Sequence, residues 1–143
     1  MMDEEELKRR TKRFALRVIK LVAALPKTLE GRTIGNQLVR AGTSVGSNYR
    51  ASCRARSKAE FIARLGVVEE EADESEYWME LITEGGLMKA KLVDPLRVEA
   101  HELVAIMTSS RISAAKNEKL ARKATELRKR AVIKNHKSKI KNH

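Results

Sequence analysis

At 143 residues with a single cysteine, Cys53, the chain fits one domain that can bury its own core and form no intrachain disulfide. Lys and Arg outnumber Asp and Glu by 30 to 19, a net charge of +11 that favours polyanionic partners. No apolar run approaches the roughly 18 residues of a membrane span, and the opening MMDEEELKRR lacks a signal-peptide core, so a reducing cytoplasm without membrane contact is expected.

The charge is unevenly placed. Residues 7–58 hold 14 Lys/Arg against one acid, Glu30, whereas residues 60–84 hold nine acids against one base, Arg64. From Arg111 onward, 12 Lys/Arg face only Glu118 and Glu126, so the C-terminal tail carries almost the whole net charge. A chain polarised in this way suits an assembling, polyanion-binding module better than an enzyme.

The first helix is expected from Glu4 to Leu25, with Pro26 ending it. Phe14, Val18, Leu21 and Leu25 recur at helical spacing, but Leu16, Ile19, Val22 and Ala23 widen the apolar surface well beyond one stripe. Such a helix needs cover from two sides, which either a second subunit or a deep central position supplies. A second helix, Gly31 to Ala55, has the seam Ile34, Leu38, Ala41, Val45, Asn48 and Ser52. Gly42 and Gly46 each cost about 0.8–1 kcal/mol in a helix interior relative to alanine, an expense explained by close approach of another backbone or by a kink.

The third helix opens on a capping box, Ser57 with Glu60, keeps four-three spacing through Phe61, Leu65, Val68, Ala72, Ser75, Met79 and Ile82, and stops at Gly85-Gly86. Asp94-Pro95 is expected to open the fourth, whose seam is Leu96, Ala100, Leu103 and Met107. Short connections imply an all-α, antiparallel up-down-up-down four-helix bundle over residues 1–113. Residues 114–143 form a basic C-terminal extension whose seam thins to Leu120, Ala124, Leu127 and Ala131. The extension reads as a helix docked on a neighbour or an arm that orders on a partner, and its last ten residues read as disordered.

Several motifs together resemble a known family. They are LPKT at 25–28, QLVRAGTSVGSNYRAS at 37–52, SKAEFIARLGVVEEEADESEYW at 57–78 and EAHEL at 99–103. The chain is similar to the four-helix bundle proteins named for intervening sequences of bacterial 23S ribosomal RNA genes, and to the accessory variability protein of diversity-generating retroelements. The resemblance implies an up-down bundle assembled as a ring-like homopentamer. For the retroelement cousins it implies binding to nucleic acid and to a reverse transcriptase. Two departures stand out: Gly46 where the family often has proline or alanine, and a longer basic tail after Arg111.

The candidate polyanion contacts are the line Arg13, Arg17 and Lys20, the cluster Arg50, Arg54, Arg56 and Lys58, and the tail set Lys119, Arg122, Lys123, Arg128, Lys129 and Arg130. The body clusters have a second reading, in which they pair with the acids of the third helix and only hold the assembly together. Among those acids, Glu71 and Glu74 are placed to face Arg or Lys of the first or second helix. Ser44, Asn48 and Ser75 form an expected polar network, with Asn48 and Ser75 bonded to each other to fix helix register.

No base stands ready to activate a serine, and the acids from Glu69 to Glu76 lack nearby histidines. His101-Glu102 has Ala105 where a zinc-protease helix needs its second histidine. No catalytic residue, metal or cofactor is therefore expected. Of five aromatic residues only Tyr49, next to Arg50, qualifies as a stacking platform, so RNA or DNA would be recognised by backbone and shape. The competing expectation is an oligomeric scaffold whose charged faces bind copies of itself or protein partners.

Overall fold

The computed structural model describes residues 2–142. It contains four helices: α1 Glu4–Ala23, α2 Leu29–Ser52, α3 Lys58–Glu84 and α4 Ala90–Lys141. Asp3 caps α1 by accepting from the Glu6 N–H at 2.8 Å, and Thr28 caps α2 by accepting from the Gly31 N–H at 3.1 Å. The Thr28 cap starts α2 two residues ahead of the expected Gly31, and the helix ends at Ser52 rather than Ala55. Helix α1 ends at Ala23, short of Leu25, as the following Pro26 requires.

The Ser57–Glu60 cap is present with one modification. Ser57 Oγ accepts from the Glu60 N–H at 3.1 Å, while the Glu60 carboxylate accepts from the N–H of Arg56, one residue before the cap, at 2.7 Å. Gly86, at φ +72°, is the one left-handed residue among the described residues and turns the backbone out of α3. Helix α4 then begins four residues before the expected Asp94. Fully buried Val93 anchors the added turn, and Pro95 lies inside the helix at its sixth residue, where its missing N–H costs one intrahelical bond.

Consecutive helices pack antiparallel, and α1 also meets α4 along a thinner seam. The expected seam residues form the core: Phe14, Val18, Leu38, Val45, Leu65, Met79, Ile82, Leu103 and Met107 are all fully buried. The glycines of α2 face α1. A Cβ at Gly46 would lie 3.4 Å from the Thr11 backbone, and one at Gly42 would lie 2.8 Å from both γ-carbons of Val18. Close helix approach, not a kink, accounts for them. Arg10 ties the thinner seam by donating to Glu99 at 2.8 and 2.6 Å and to Glu102 at 2.6 Å.

The extension differs most from expectation. Among the described residues Ala114 is the last buried one, yet α4 continues through Lys141, so residues 134–141 of the tail are helical and Asn142 caps them. His143 lies outside the described residues. No glycine or proline follows Pro95, and Ala, Leu, Lys, Arg and Glu supply high helix propensity. Glu118–Arg122 and Glu126–Arg130 add pairs in the favourable order, and Lys139 and Lys141 suit the helix C-terminus. The 27 helical residues from 115 to 141 make a rod about 40 Å long.

Candidate nucleic-acid interface

In an antiparallel bundle the start of α1, the end of α2, the start of α3 and the departing arm of α4 share one end. Helix α1 brings Lys8, Arg9 and Lys12 there, and α2 brings Arg50 and Arg54; the five side chains line one hollow. Lys8 is partly neutralised by Glu5 at 3.3 Å and Glu4 at 3.7 Å, and its bond to Glu5 holds the ammonium protonated. Among the described residues, Arg9, Lys12, Arg50 and Arg54 have no carboxylate partner. Four uncompensated cations held together repel one another unless an anion lies between them.

The predicted sets are redistributed by the fold. Arg50 and Arg54 converge as expected, but with Lys8, Arg9 and Lys12, which sequence reasoning passed over. The available signal was topological: residues near the start of the first helix must lie beside the end of an antiparallel second. Arg13 is exposed on the outer side of α1, while Arg17 and Lys20 border an apolar groove floored by Leu21, Met88, Leu92 and Leu96. Arg56 in the α2–α3 turn and Lys58 at the first position of α3 lie beside Tyr49 and Cys53, with the Lys58 ammonium 5.6 Å from the centre of the Phe61 ring. None of these seven predicted body cations forms an ion pair among the described residues, so within one chain they do not serve the acids of α3.

Those acids have other partners. Arg40 of α2 pairs with Glu74 and, at 3.7 Å, with Glu71, which places both glutamates against α2 as expected. Arg111 bonds Glu69 at 2.7 Å and holds that carboxyl below its ordinary value; Arg97 and His101 of α4 flank Glu76. Glu71 is shifted upward, chiefly by burial and then by the neighbouring Glu74 charge. No group of three His, Cys, Asp or Glu among the described residues is arranged to hold a metal.

Two expectations are corrected. Asn48 and Ser75 do not bond to each other. Asn48 donates to the Ser44 carbonyl at 2.8 Å, Ser75 to the Glu71 carbonyl and Ser44 to the Arg40 carbonyl, each within its own helix, because a carbonyl four residues back is always in reach. Tyr49 is not a stacking platform: only 6% of it is exposed, and burial raises its hydroxyl pKa. Cys53 is half-buried, and burial is also the chief cause raising its thiol pKa.

On the arm, Lys119, Arg122, Lys123, Arg128, Lys129 and Arg130 are all exposed. Arg122 and Arg130 pair with Glu118 and Glu126 one turn away, leaving the other four without a carboxylate among the described residues. Elsewhere Leu16 and Ile19 of α1 stay 60% and 47% exposed, so the wide apolar surface of that helix is not covered within one chain. No described helix is long and apolar enough to cross a membrane.

Fold and surface together define an all-helical four-helix bundle with a cationic end. The chain belongs to the 23S rRNA-intervening sequence protein family, whose model matches residues 4–109. It is similar to the crystal structure of a protein with unknown function from the S23 ribosomal protein family of Bacteroides thetaiotaomicron VPI-5482. That similarity has 29% identity, covers 72% of this chain and 95% of the other, and has a TM-score of 0.68. No curated protein matches the chain.

Proposed function

We propose that this protein binds RNA or DNA without catalysis, as an oligomer that grips the phosphate backbone. The observation that carries the reading is the hollow in which Arg9, Lys12, Arg50 and Arg54 converge without a carboxylate. A phosphodiester chain lying there relieves their repulsion and releases its own counterions. With Tyr49 buried, contact is to backbone and shape rather than to stacked bases.

Exposed Leu16 and Ile19 supply the apolar cover for a sister copy, and a homopentameric ring is the assembly the family resemblance implies. A ring repeats the hollow around its axis and raises avidity by linking identical sites in one body. In the cytoplasm it would present nucleic acid to an enzyme such as a reverse transcriptase. The apolar groove bordered by Arg17 and Lys20 favours a second reading, a scaffold whose charged faces bind copies or protein partners.

Fluorescence anisotropy with mixed-sequence RNA and DNA oligonucleotides across a salt series separates the readings. Replacing Arg9, Lys12, Arg50 and Arg54 by alanine should reduce the log–log salt slope by about 3–4, near 0.9 for each phosphate no longer neutralised. Absence of binding at low salt, or a negligible slope in the native protein, selects the scaffold; an unchanged slope in the variant removes the hollow as the site. Light scattering should give a multiple of the monomer mass that falls in a Leu16→Ser/Ile19→Ser variant; a monomer throughout removes the oligomer.

A further inference from the structure

We infer that the free part of α4 is an arm that lies in the major groove of B-form DNA and makes the DNA duplex the preferred ligand over RNA and over single strands. The inference rests on the nucleic-acid reading above and names its substrate class. The family match ends at residue 109, so the arm beyond Ala114 is a feature of this chain outside the matched region.

Shape comes first. An α-helix with its side chains is about 10–12 Å across, and the B-form major groove is about 12 Å wide. The major groove of an A-form RNA duplex is deep and too narrow for side chains to read, let alone for a whole helix to enter. The arm holds one helical course from the bundle to Lys141, and among the described residues none is buried after Ala114.

Charge placement follows from helical geometry at 100° per residue. Lys116, Lys119, Lys123, Arg130, Lys134 and Lys137 are spaced by three, four or seven and share one exposed face. They span 21 residue-to-residue steps, about 32 Å, close to one turn of B-DNA. Glu126 interrupts the face, but it pairs with Arg130 at 3.5 Å on an exposed surface where such a pair is weak and readily exchanged for a phosphate.

Beside this face runs a strip of Leu120, Ala124, Leu127 and Ala131, and beyond the strip stand Arg128 and Lys139. Both leucines are more than half exposed. Cations on the two flanks of an apolar strip match a groove with a phosphate strand on each wall and base edges on its floor. Small and apolar side chains there meet the thymine methyl group, which uracil lacks. The last Phe, Tyr or Trp of the sequence is Trp78, so the described arm offers an unpaired base no ring larger than the His136 imidazole.

The test uses the full chain with three labelled probes of one sequence: a DNA duplex of about 24 base pairs, longer than the arm, the matching RNA duplex and the single DNA strand. The native protein should bind the DNA duplex at least about tenfold tighter than either other probe at about 100–150 mM salt. A Lys119→Ala/Lys123→Ala/Arg130→Ala/Lys137→Ala variant should reduce the preference to within about twofold, with helical circular dichroism retained because alanine favours the helix. A charge-retaining Lys119→Arg/Lys123→Arg/Lys137→Arg variant should keep it. Equal or tighter binding of RNA or the single strand by the native protein overturns the inference. Persistence of the preference in the alanine variant, or its loss in the arginine variant, also overturns it. If the native protein binds none of the probes even at low salt, the nucleic-acid reading itself falls; an RNA preference removes the arm's role alone.

Discussion

A single methyl group added at Gly42 tests how closely α1 and α2 are held, and the same two helices build the basic hollow. Gly→Ala in a helix interior ordinarily stabilises by about 0.8–1 kcal/mol. At Gly42 the new Cβ would stand 2.8 Å from both Val18 γ-carbons and 3.1 Å from its Cβ. Val18 is fully buried, and a helical valine has one strongly preferred χ1 rotamer, so neither methyl can swing clear. The helices must separate by a fraction of an ångström or strain the side chain, at about 1–3 kcal/mol for an overpacked core. The net expectation for Gly42→Ala is a loss of about 0.5–2 kcal/mol in urea unfolding.

Two companion variants fix the cause. Gly66→Ala meets only the flexible Arg111 Cδ, at 3.7 Å, and should stabilise by up to about 1 kcal/mol. Val18→Ala costs about 2 kcal/mol by itself, since it removes two buried methyl-sized groups. Combined with Gly42→Ala it should cost at least about 1 kcal/mol less than the two single losses added, because the new methyl fills the space the old ones leave. Should Gly42→Ala stabilise as much as Gly66→Ala, the close packing of α1 on α2 would be refuted, and with it the placement of Lys8, Arg9 and Lys12 against Arg50 and Arg54.

Arg10→Ala should cost about 1–3 kcal/mol by chemical denaturation, since it strips Glu99 and Glu102 of the guanidinium that ties α1 to α4, and Arg10→Lys should recover only part because an ammonium cannot reproduce the fork. Glu71 binds its proton more tightly folded than unfolded, so its contribution is present below its ordinary value of 4.5 and is lost as pH rises through the raised folded value. Glu71→Gln should remove that loss and flatten thermal stability between mildly acidic and neutral pH; an unchanged profile would contradict the assignment. Glu69 has the opposite sign. Held down by Arg111, it contributes above the ordinary value and loses that contribution as pH falls, so Arg111→Ala should blunt the acid side of the same curve.

Helical type and core membership were legible residue by residue. Spacing of four and three marked Phe14, Val18, Leu65, Met79 and Leu103, all of which the fold buries, because a helix must turn one face inward whatever its neighbours are. The cap at Ser57 and the stop at Gly85-Gly86 depend on groups within a few residues and were equally readable. Asp94-Pro95 misled because a good local start signal lost to the burial of Val93 one residue earlier. The sequence alone also determined that the tail is basic. That the tail is a helix came from propensity summed over a long stretch, which outweighed the apparent disorder of a charged terminus.

Partnership was decided only by tertiary structure. The sequence displayed nine acids in the third helix and thirteen bases before it, without saying which would meet. Antiparallel packing gave Glu71 and Glu74 to Arg40, Glu69 to Arg111 and Glu76 to Arg97, and left Arg9, Lys12, Arg50 and Arg54 facing one another. Tyr49 passed from candidate platform to core by the same route. Apolar periodicity is a property of one helix and can be read along the chain, whereas a charge's neighbour is set by the rotation and register of a second helix, which the packing of buried side chains determines.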